Sequence, residues 1–142
     1  MHKNLNLVNV LVAMSHKSKG SNAERELVHL FWGRGWASVR VAGSGSAHYP
    51  SPDILAGNGV RRIAVECKSS GGMVKYLTSK EVGELQEFAH IFGAEAWIGV
   101  RFDDMKWHFL LVDDLKRSGN SFSASVELVK RKGLLFEDLI GA

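Results

Sequence analysis

The chain has 142 residues, and 45% of them are hydrophobic, which suits one compact domain with a packed core. No run approaches about 18 uninterrupted apolar residues, which argues against a membrane-spanning helix. The single cysteine, Cys67, excludes an intrachain disulfide and fits a reducing compartment such as the cytoplasm. The net charge of +3 is uneven, because residues 1–80 carry 11 basic and 4 acidic side chains, whereas residues 81–142 carry 7 and 11. A basic half indicates either a polyanionic partner, most commonly nucleic acid, or a solvated basic face.

The N-terminal half of the chain is predicted to hold one helix and three strands. Residues 1–18 are predicted to be a flexible extension, and residues 19–142 one folded domain. The helix begins near Ser21 or Asn22 and ends at Gly33 and Gly35. Three strands follow, at residues 36–41, 53–56 and 60–68. The last two are joined by Asn58-Gly59, a strong two-residue hairpin signal.

The C-terminal half is predicted to add two helices and two strands. Residues 69–77 form a Gly-Ser loop, and a helix follows with Thr78 as its N-cap and Glu81 completing a capping box. Gly93 ends this helix. Strands at 96–102 and 106–112 and a short helix at 134–140 complete the chain. The order of the elements predicts an α/β fold in which helices flank a mixed central β-sheet.

The register of the predicted hairpin brings acidic residues together. With Asn58 and Gly59 as the turn, Asp53 lies opposite Ala64, and side chains alternate between the two faces of each strand. Asp53, Glu66 and Lys68 therefore share one face, whereas the other face is apolar. The backbones of Asp53 and Glu66 would be diagonal neighbours, about 7–8 Å apart. Two carboxylates at this separation can bind one cation between them.

The pattern Asp53, then Glu66-Cys67-Lys68, is suited to phosphodiester cleavage. Carboxylate oxygens are ligands for Mg²⁺, which activates water and polarises a phosphoryl oxygen. Lys68 can hold the attacking water or offset the charge at phosphorus. The alternative is an exposed hairpin edge with a Glu–Lys pair of little energetic value. Glu24 also has two interpretations: Ser21 and Glu24 have the spacing of a helix capping box, but Glu24 lies beside the apolar stripe that faces the sheet.

The sequence resembles a known family along nearly its whole length. Pro52-Asp53 with Glu66-Cys67-Lys68 resembles the signature of the restriction-endonuclease-like nuclease superfamily. The segment KGSNAERELV (residues 19–28), Val39-Arg40, the Gly43-Ser44-Gly45-Ser46 loop and Glu87-Phe88-Ala89 extend the likeness. Together these motifs resemble the archaeal Holliday junction resolvase family from about Lys19 to Leu139.

This resemblance implies a restriction-endonuclease-like fold and a homodimer that cuts four-way DNA junctions with paired nicks. It implies that Mg²⁺, with Mn²⁺ as a substitute, is held by Glu24, Asp53 and Glu66, and that Lys68 is the catalytic lysine. A loop serine, Ser44 or alternatively Ser46, matches a serine needed for activity in part of the family. The basic residues implied in the site or in DNA binding are Arg25 and Arg40.

Several surface assignments remain open between a functional and a structural role. Lys19, Lys75 and Lys80 are candidate phosphate contacts, or simply solvated cations. The stripe containing Leu85, Phe88 and Phe92 is either core or the dimer interface that the resemblance implies. The leading interpretation is a junction resolvase acting in recombination and repair, together with recombination proteins. The alternatives are a related nuclease that cuts duplex DNA and a DNA-binding relative without catalysis.

Overall fold

The computed structural model describes residues 15–41, 43, 48–69 and 71–141. The helices in chain order are α1 (Ser15–Trp32), α2 (Ser79–Phe92), α3 (Val126–Lys132) and α4 (Phe136–Gly141). The strands are β1 (Ala37–Arg40), β2 (Ile54–Gly57), β3 (Arg62–Ser69), β4 (Val74–Thr78), β5 (Glu95–Arg101), β6 (His108–Leu110), β7 (Lys116–Ser118), β8 (Ser121–Ser125) and β9 (Leu134–Leu135). A short 3₁₀ helix, Val112–Asp114, precedes β7. In this part of the chain, no helix is long and apolar enough to cross a membrane.

The fold is built on a six-stranded mixed sheet in the order β1-β2-β3-β5-β6-β9. Strands β3 and β5 are parallel and the other pairs are antiparallel. The parallel pair requires a crossover, and α2 supplies it. A second sheet, in the order β4-β8-β7, lies beside the first. The predicted α/β fold with a mixed central sheet is confirmed.

Helices cover both faces of the central sheet and enclose two apolar clusters. On one face α1 and α4 bury Leu27, Phe31 and Leu139 against the strands. On the other face α2 and α3, with the small sheet, bury Leu85 and Val129. The central strands are therefore apolar on both faces, as expected of a covered sheet. Polar residues in these strands must lie where the helical cover ends.

The hairpin between β2 and β3 has a different register from the one predicted. Ile54 pairs with Val65, not with Ile63, and Gly57 pairs with Arg62. The Asn58 side chain accepts hydrogen bonds from the backbone N–H groups of Val60 and Arg61 at 2.9 and 2.7 Å, which builds a four-residue loop. The two-residue turn needs positive φ at both positions, but among the described turn residues only Gly59, at 93°, has it. Because the register shift is two residues, the predicted facial assignment survives.

Three other boundaries differ from the prediction. Helix α1 begins at Ser15, not near Ser21, because no proline intervenes and Gly20 alone costs only about 1 kcal/mol. Residues 15–18, predicted as part of a flexible extension, are thus helical, while residues 1–14 lie outside the described residues. The predicted loop at 69–77 contains β4, whose alternating burial had a weak sequence signal.

The C-terminal third contains more structure than the sequence indicated. Strands β7 and β8 and helix α3 were not predicted; β7 and β8 are short, and α3 has only seven residues. The final helix begins at Phe136 rather than at residue 134, since Leu134 pairs with Phe109 as part of β9. The predicted helix at Thr78 is confirmed with its full capping box and with Gly93, at φ 84°, as its C-cap.

Candidate active site

A polar cleft of about 420 Å³ opens where α1, the β2–β3 hairpin and α2 meet. The residues that line it are Glu24, Ser51, Asp53, Glu66, Cys67, Lys68, Lys80, Glu81, Glu84 and Leu85. All four members of the predicted acid–lysine set are present. They arrive from three elements that are distant in sequence, so tertiary packing brings them together.

Asp53 and Glu66 meet directly across the hairpin. Asp53 lies just before β2, and its backbone N–H donates to the Val65 carbonyl at 3.0 Å. The Asp53 carboxylate accepts the backbone N–H of Cys67 through Oδ2 at 2.8 Å. The Glu66 carboxyl group hydrogen-bonds to the Asp53 carboxylate, so the two carboxyl groups are in direct contact.

The close approach of these carboxyl groups has a strong electrostatic effect. Burial, the negative charge of Asp53 and a hydrogen bond that protonated Glu66 donates to the Asp53 carboxylate raise the pKa of Glu66 to about 8, and Lys68 only partly offsets this. Burial and Asp53 also raise the pKa of Glu24, against the opposing effect of Arg40. The site therefore concentrates negative charge beyond what its own cations neutralise, and a divalent cation would relieve it.

Glu24 is held by Arg40 and not by a helix cap. Arg40 Nε donates to Glu24 Oε1 at 3.0 Å, and Arg40 Nη2 donates to Ser21 Oγ at 3.0 Å. Because Ser21 lies inside α1, the capping interpretation of Ser21 and Glu24 is wrong. Arg40 thereby links the end of β1 to the acidic cleft, as its predicted place beside the site required.

Lys68 has a partner that the sequence did not suggest. Its ammonium donates to Glu81 Oε2 at 2.5 Å, while Glu81 Oε1 accepts the backbone N–H of Thr78 at 2.9 Å. Burial alone would raise the pKa of Glu81, but the hydrogen bonds from Lys68 and Thr78 outweigh it and lower that pKa. One carboxylate thus caps α2 and fixes the lysine. The capping box was the available signal, since it placed Glu81 at a helix start beside the site.

The donor chemistry of the cleft fits a divalent metal, although the described residues do not yet form a coordination shell. Among them, no three acidic, histidine or cysteine side chains converge closely enough to hold an ion. However, the Ser51 hydroxyl lines the same cleft, is buried and has no hydrogen-bond partner in the described part of the chain. An oxygen-only set of ligands suits Mg²⁺. Burial raises the pKa of the Cys67 thiol far above its ordinary value, which makes the thiolate an unsuitable ligand.

The other predicted contact residues fall into distinct positions. Lys80 is exposed at the rim of the cleft. Arg25 is exposed on α1, and its Nη1 donates to the side-chain Oδ1 of Asn22 at 3.4 Å. Lys75 is only 5% exposed; its ammonium donates to the Gly71 carbonyl at 2.8 Å and lies over the Phe102 ring. Its burial argues against the predicted phosphate contact. Ser44 and Ser46, and the side chain of Lys19, lie outside the described residues.

The residues of the predicted interface stripe on α2 also differ in how exposed they are. Leu85 is 2% exposed and packs in the core, so its assignment to an interface does not fit the structure. Phe88 is half-buried and stacks on Phe92, with 5.3 Å between ring centroids. Phe92 and its neighbour Ile91 are exposed, at 47% and 78%. The exposed apolar side of α2 therefore contains Phe92. It also contains Ile91, which the predicted stripe did not include.

A mixed sheet that presents Asp53, Glu66 and Lys68 in one cleft, with Glu24 from the first helix, defines the restriction-endonuclease-like class of nucleases. The family model described as "Archaeal holliday junction resolvase (hjc)" matches residues 15–142. The chain therefore belongs to the archaeal Holliday junction resolvase family, and the resemblance inferred from its motifs is confirmed.

Individual relatives agree with this assignment. The chain is 38% identical to the crossover junction endodeoxyribonuclease Hjc of Archaeoglobus fulgidus, over 88% of this chain and 97% of that protein. It is 33% identical to the Sulfurisphaera tokodaii enzyme of the same name, over 89% of this chain and 88% of that protein. The 1.6 Å structure of A. fulgidus Hjc superposes with a TM-score of 0.78 at 35% identity, covering 86% of this chain and 95% of that one. The predicted fold class is thereby confirmed.

Proposed function

We propose that this protein is an endonuclease that resolves four-way DNA junctions in the cytoplasm by divalent-metal-dependent hydrolysis. The observation that carries the proposal is the meeting of Glu24, Asp53, Glu66 and Lys68 in one open cleft. A protein that only binds DNA has no need of neighbouring carboxylates that repel each other and so oppose each other's ionisation. The named relatives are crossover junction endodeoxyribonucleases, and this supports a branched DNA substrate.

The side chains of the cleft have separate roles in this reaction. Glu24, Asp53 and Glu66 would hold Mg²⁺, for which Mn²⁺ could substitute, with Ser51 available as a further oxygen donor. When bound, the ion supplies an acidified water and polarises the scissile phosphate. Lys68 is oriented by Glu81 toward the same cleft, where its ammonium stabilises negative charge on the phosphate. Arg40 holds Glu24 in place, and Lys80 at the rim contacts the DNA backbone.

The proposal is tested with a labelled four-way junction and a linear duplex of the same sequence, with Mg²⁺ or with EDTA. Symmetric nicks confined to the junction and to the Mg²⁺ samples are expected. Asp53→Asn is expected to abolish cutting while leaving junction affinity near that of the wild type, whereas Asp138→Asn, an equal charge change at an exposed position, is expected to cut normally. Equal cleavage of the linear duplex would point to a different nuclease of the superfamily. Binding without cleavage under any metal would overturn the catalytic proposal.

We also propose that two copies associate through an apolar patch formed by Trp32, Val39, Phe88, Ile91 and Phe92. Two shallow apolar cavities of about 250 and 280 Å³ adjoin this patch and share Phe92. An exposed apolar surface of this kind is typical of an interface, and twofold pairing would fix the distance between two cleavage sites.

Ile91→Asp is the clean test of this interface, because Ile91 is 78% exposed and its loss leaves the core intact. Phe88 also packs against a core cluster, so its replacement would confound folding with association. The wild type and Val60→Asp, changed at an equally exposed apolar residue on the hairpin loop, are expected to sediment as dimers, and Ile91→Asp as a monomer. A dimeric Ile91→Asp would exclude this patch as the interface.

A further inference from the structure

A second polar surface lies on the small sheet, away from the acidic cleft. Tyr76, Ser123 and Lys116 are aligned in one row across β4, β8 and β7. Thr78, Ser121 and Ser118 form the next row on the same face. We call this the outer sheet face. Helix α3 borders one side of it with Arg131, and the open cavity there measures about 470 Å³. Alternation along the strands sends the apolar residues of this sheet to the opposite face, where Leu77 and Ala124 join the core.

The charge on the outer sheet face is positive and lacks partners. Lys116 and Arg131 both line the cavity, and neither makes an ion pair or a side-chain hydrogen bond with a described residue. Glu127 is the one acidic residue among the described lining residues. Arg117, by contrast, points to the other face and lies over the Phe122 ring at 5.4 Å.

The neutral groups on this face can bind a polar ligand as well. Tyr76 is 67% exposed, and the Ser123 hydroxyl makes no hydrogen bond to the described part of the chain. The Ser121 hydroxyl donates to the Ser118 carbonyl at 3.1 Å and retains its acceptor lone pairs, while Ser125 is occupied as the N-cap of α3. Hydroxyl groups interspersed with cations match the oxygen-rich backbone of a nucleic acid, to which serine, tyrosine, lysine and arginine all donate.

The outer sheet face is connected to the active site through β4. This strand runs from Val74 to Thr78, and Thr78 caps the helix whose Glu81 holds Lys68. At about 3.3 Å per residue, the four steps of β4 span about 13 Å. Each strand of B-DNA carries one phosphate per about 3.4 Å of helix axis, so a DNA arm that runs from the acidic cleft along β4 would reach this face within a few phosphates.

We propose that the outer sheet face binds the sugar–phosphate backbone of a DNA arm, with Lys116 and Arg131 contacting phosphates and Tyr76 and Ser123 donating hydrogen bonds. This rests on the proposed function only in taking DNA as the polyanion. The contacts are to the backbone and carry no sequence preference. They hold the substrate beyond the cut and contribute to affinity rather than to the chemical step.

The test compares a Lys116→Gln/Arg131→Gln double variant with a Lys106→Gln/Lys132→Gln control, which removes the same charge at exposed positions that do not line the cavity. Junction affinity is measured by fluorescence anisotropy over a series of salt concentrations, in EDTA so that no cutting occurs. The double variant is expected to bind roughly tenfold more weakly near physiological salt, and its slope of log K against log salt is expected to be shallower by about 1.8. The control is expected to stay near the wild-type slope.

Single-turnover cleavage at saturating enzyme separates this inference from the proposed function. Normal cutting by the double variant, together with its weaker binding, supports a contact surface outside the catalytic site. If the double variant has the same affinity and slope as the control, the outer sheet face does not bind DNA, even if the wild type resolves junctions as proposed. An acidic protein partner would then be the occupant of this face. Wild-type binding without junction cutting would overturn the proposed function and leave this inference standing.

Discussion

Replacing Glu66 with glutamine should stabilise the metal-free protein while abolishing its activity. Burial and the neighbouring Asp53 carboxylate raise the pKa of Glu66 from its ordinary 4.5 to about 8. The folded protein therefore retains a proton that the unfolded chain loses as the pH rises above 4.5. By linkage, the stability that this group contributes is fully present below pH 4.5 and is lost as the pH rises through about 8. Glutamine keeps the size of the side chain and cannot ionise.

The size of the effect follows from the pKa shift. Each unit corresponds to about 1.4 kcal/mol, so the full shift corresponds to about 5 kcal/mol, of which about 3 kcal/mol is lost between pH 4.5 and pH 7. Glu66 opens onto the cleft, and water entry and side-chain relaxation reduce the penalty of burying a charge. We therefore expect a measured difference between Glu66→Gln and the wild type of about 1–3 kcal/mol at pH 8.

The assay is urea unfolding of both proteins in EDTA at intervals from pH 5 to pH 8.5. The two free energies of unfolding should agree at the acidic end and diverge as the pH rises, with the variant the more stable. Mg²⁺ should then stabilise the wild type more than the variant, because it binds the ionised carboxylates. Parallel curves across the whole range, or a variant less stable than the wild type at pH 8, would refute the electrostatic reasoning.

Three further substitutions test other parts of the structure. Glu81→Gln should lower kcat about tenfold or more with little change in KM, because it replaces the ion pair that holds Lys68 at 2.5 Å with a weaker, neutral hydrogen bond. The control Thr78→Val weakens the same helix cap without touching Lys68; it should cost about 1 kcal/mol of stability and leave kcat near normal. Leu85→Ala should lower the free energy of unfolding by about 2–5 kcal/mol, measured by thermal or urea unfolding, without changing the sedimenting mass. A change in sedimenting mass alone would instead assign Leu85 to the interface. Gly99→Ala should cost about 1–3 kcal/mol, since its Cβ would lie 2.9 Å from Val65 Cγ1; unchanged urea unfolding would show that the core there can relax.

The parts of the fold that the sequence predicted are those with local signals. The Thr78–Glu81 capping box fixed the start of α2, and Gly93 fixed its end. The strands β7 and β8 were missed although Phe122 and Ala124 alternate with serines in β8 and Gly119-Asn120 is a two-residue hairpin signal, and their order depends on pairing with β4. Their existence is a consequence of tertiary pairing, which propensity does not encode.

The site was predicted to the extent that it depends on facial alternation. An error of two residues in the hairpin register left Asp53, Glu66 and Lys68 on one face, because the side-chain period is also two. An error of one residue would have separated them. The contacts from Arg40 to Glu24 and from Glu81 to Lys68 could not be predicted in this way, since they join residues 16 and 13 positions apart on different elements.

These two contacts explain how the cleft can hold repelling carboxylates in a stable fold. Each rests on a residue that also serves the structure: Arg40 joins β1 to α1 through Ser21, and Glu81 caps α2 through Thr78. The functional groups Glu24 and Lys68 are therefore positioned by the same bonds that fix the ends of secondary-structure elements. Asp53 is anchored likewise, by the Cys67 backbone N–H. Burial and like charge both act against the ionised form of Glu66. Among the four residues, Glu66 alone meets this without a fixed cation of its own, because Lys68 is drawn toward Glu81. The cost of the site is thus largest at Glu66, and that side chain is the one whose ionisation a bound divalent cation would favour most.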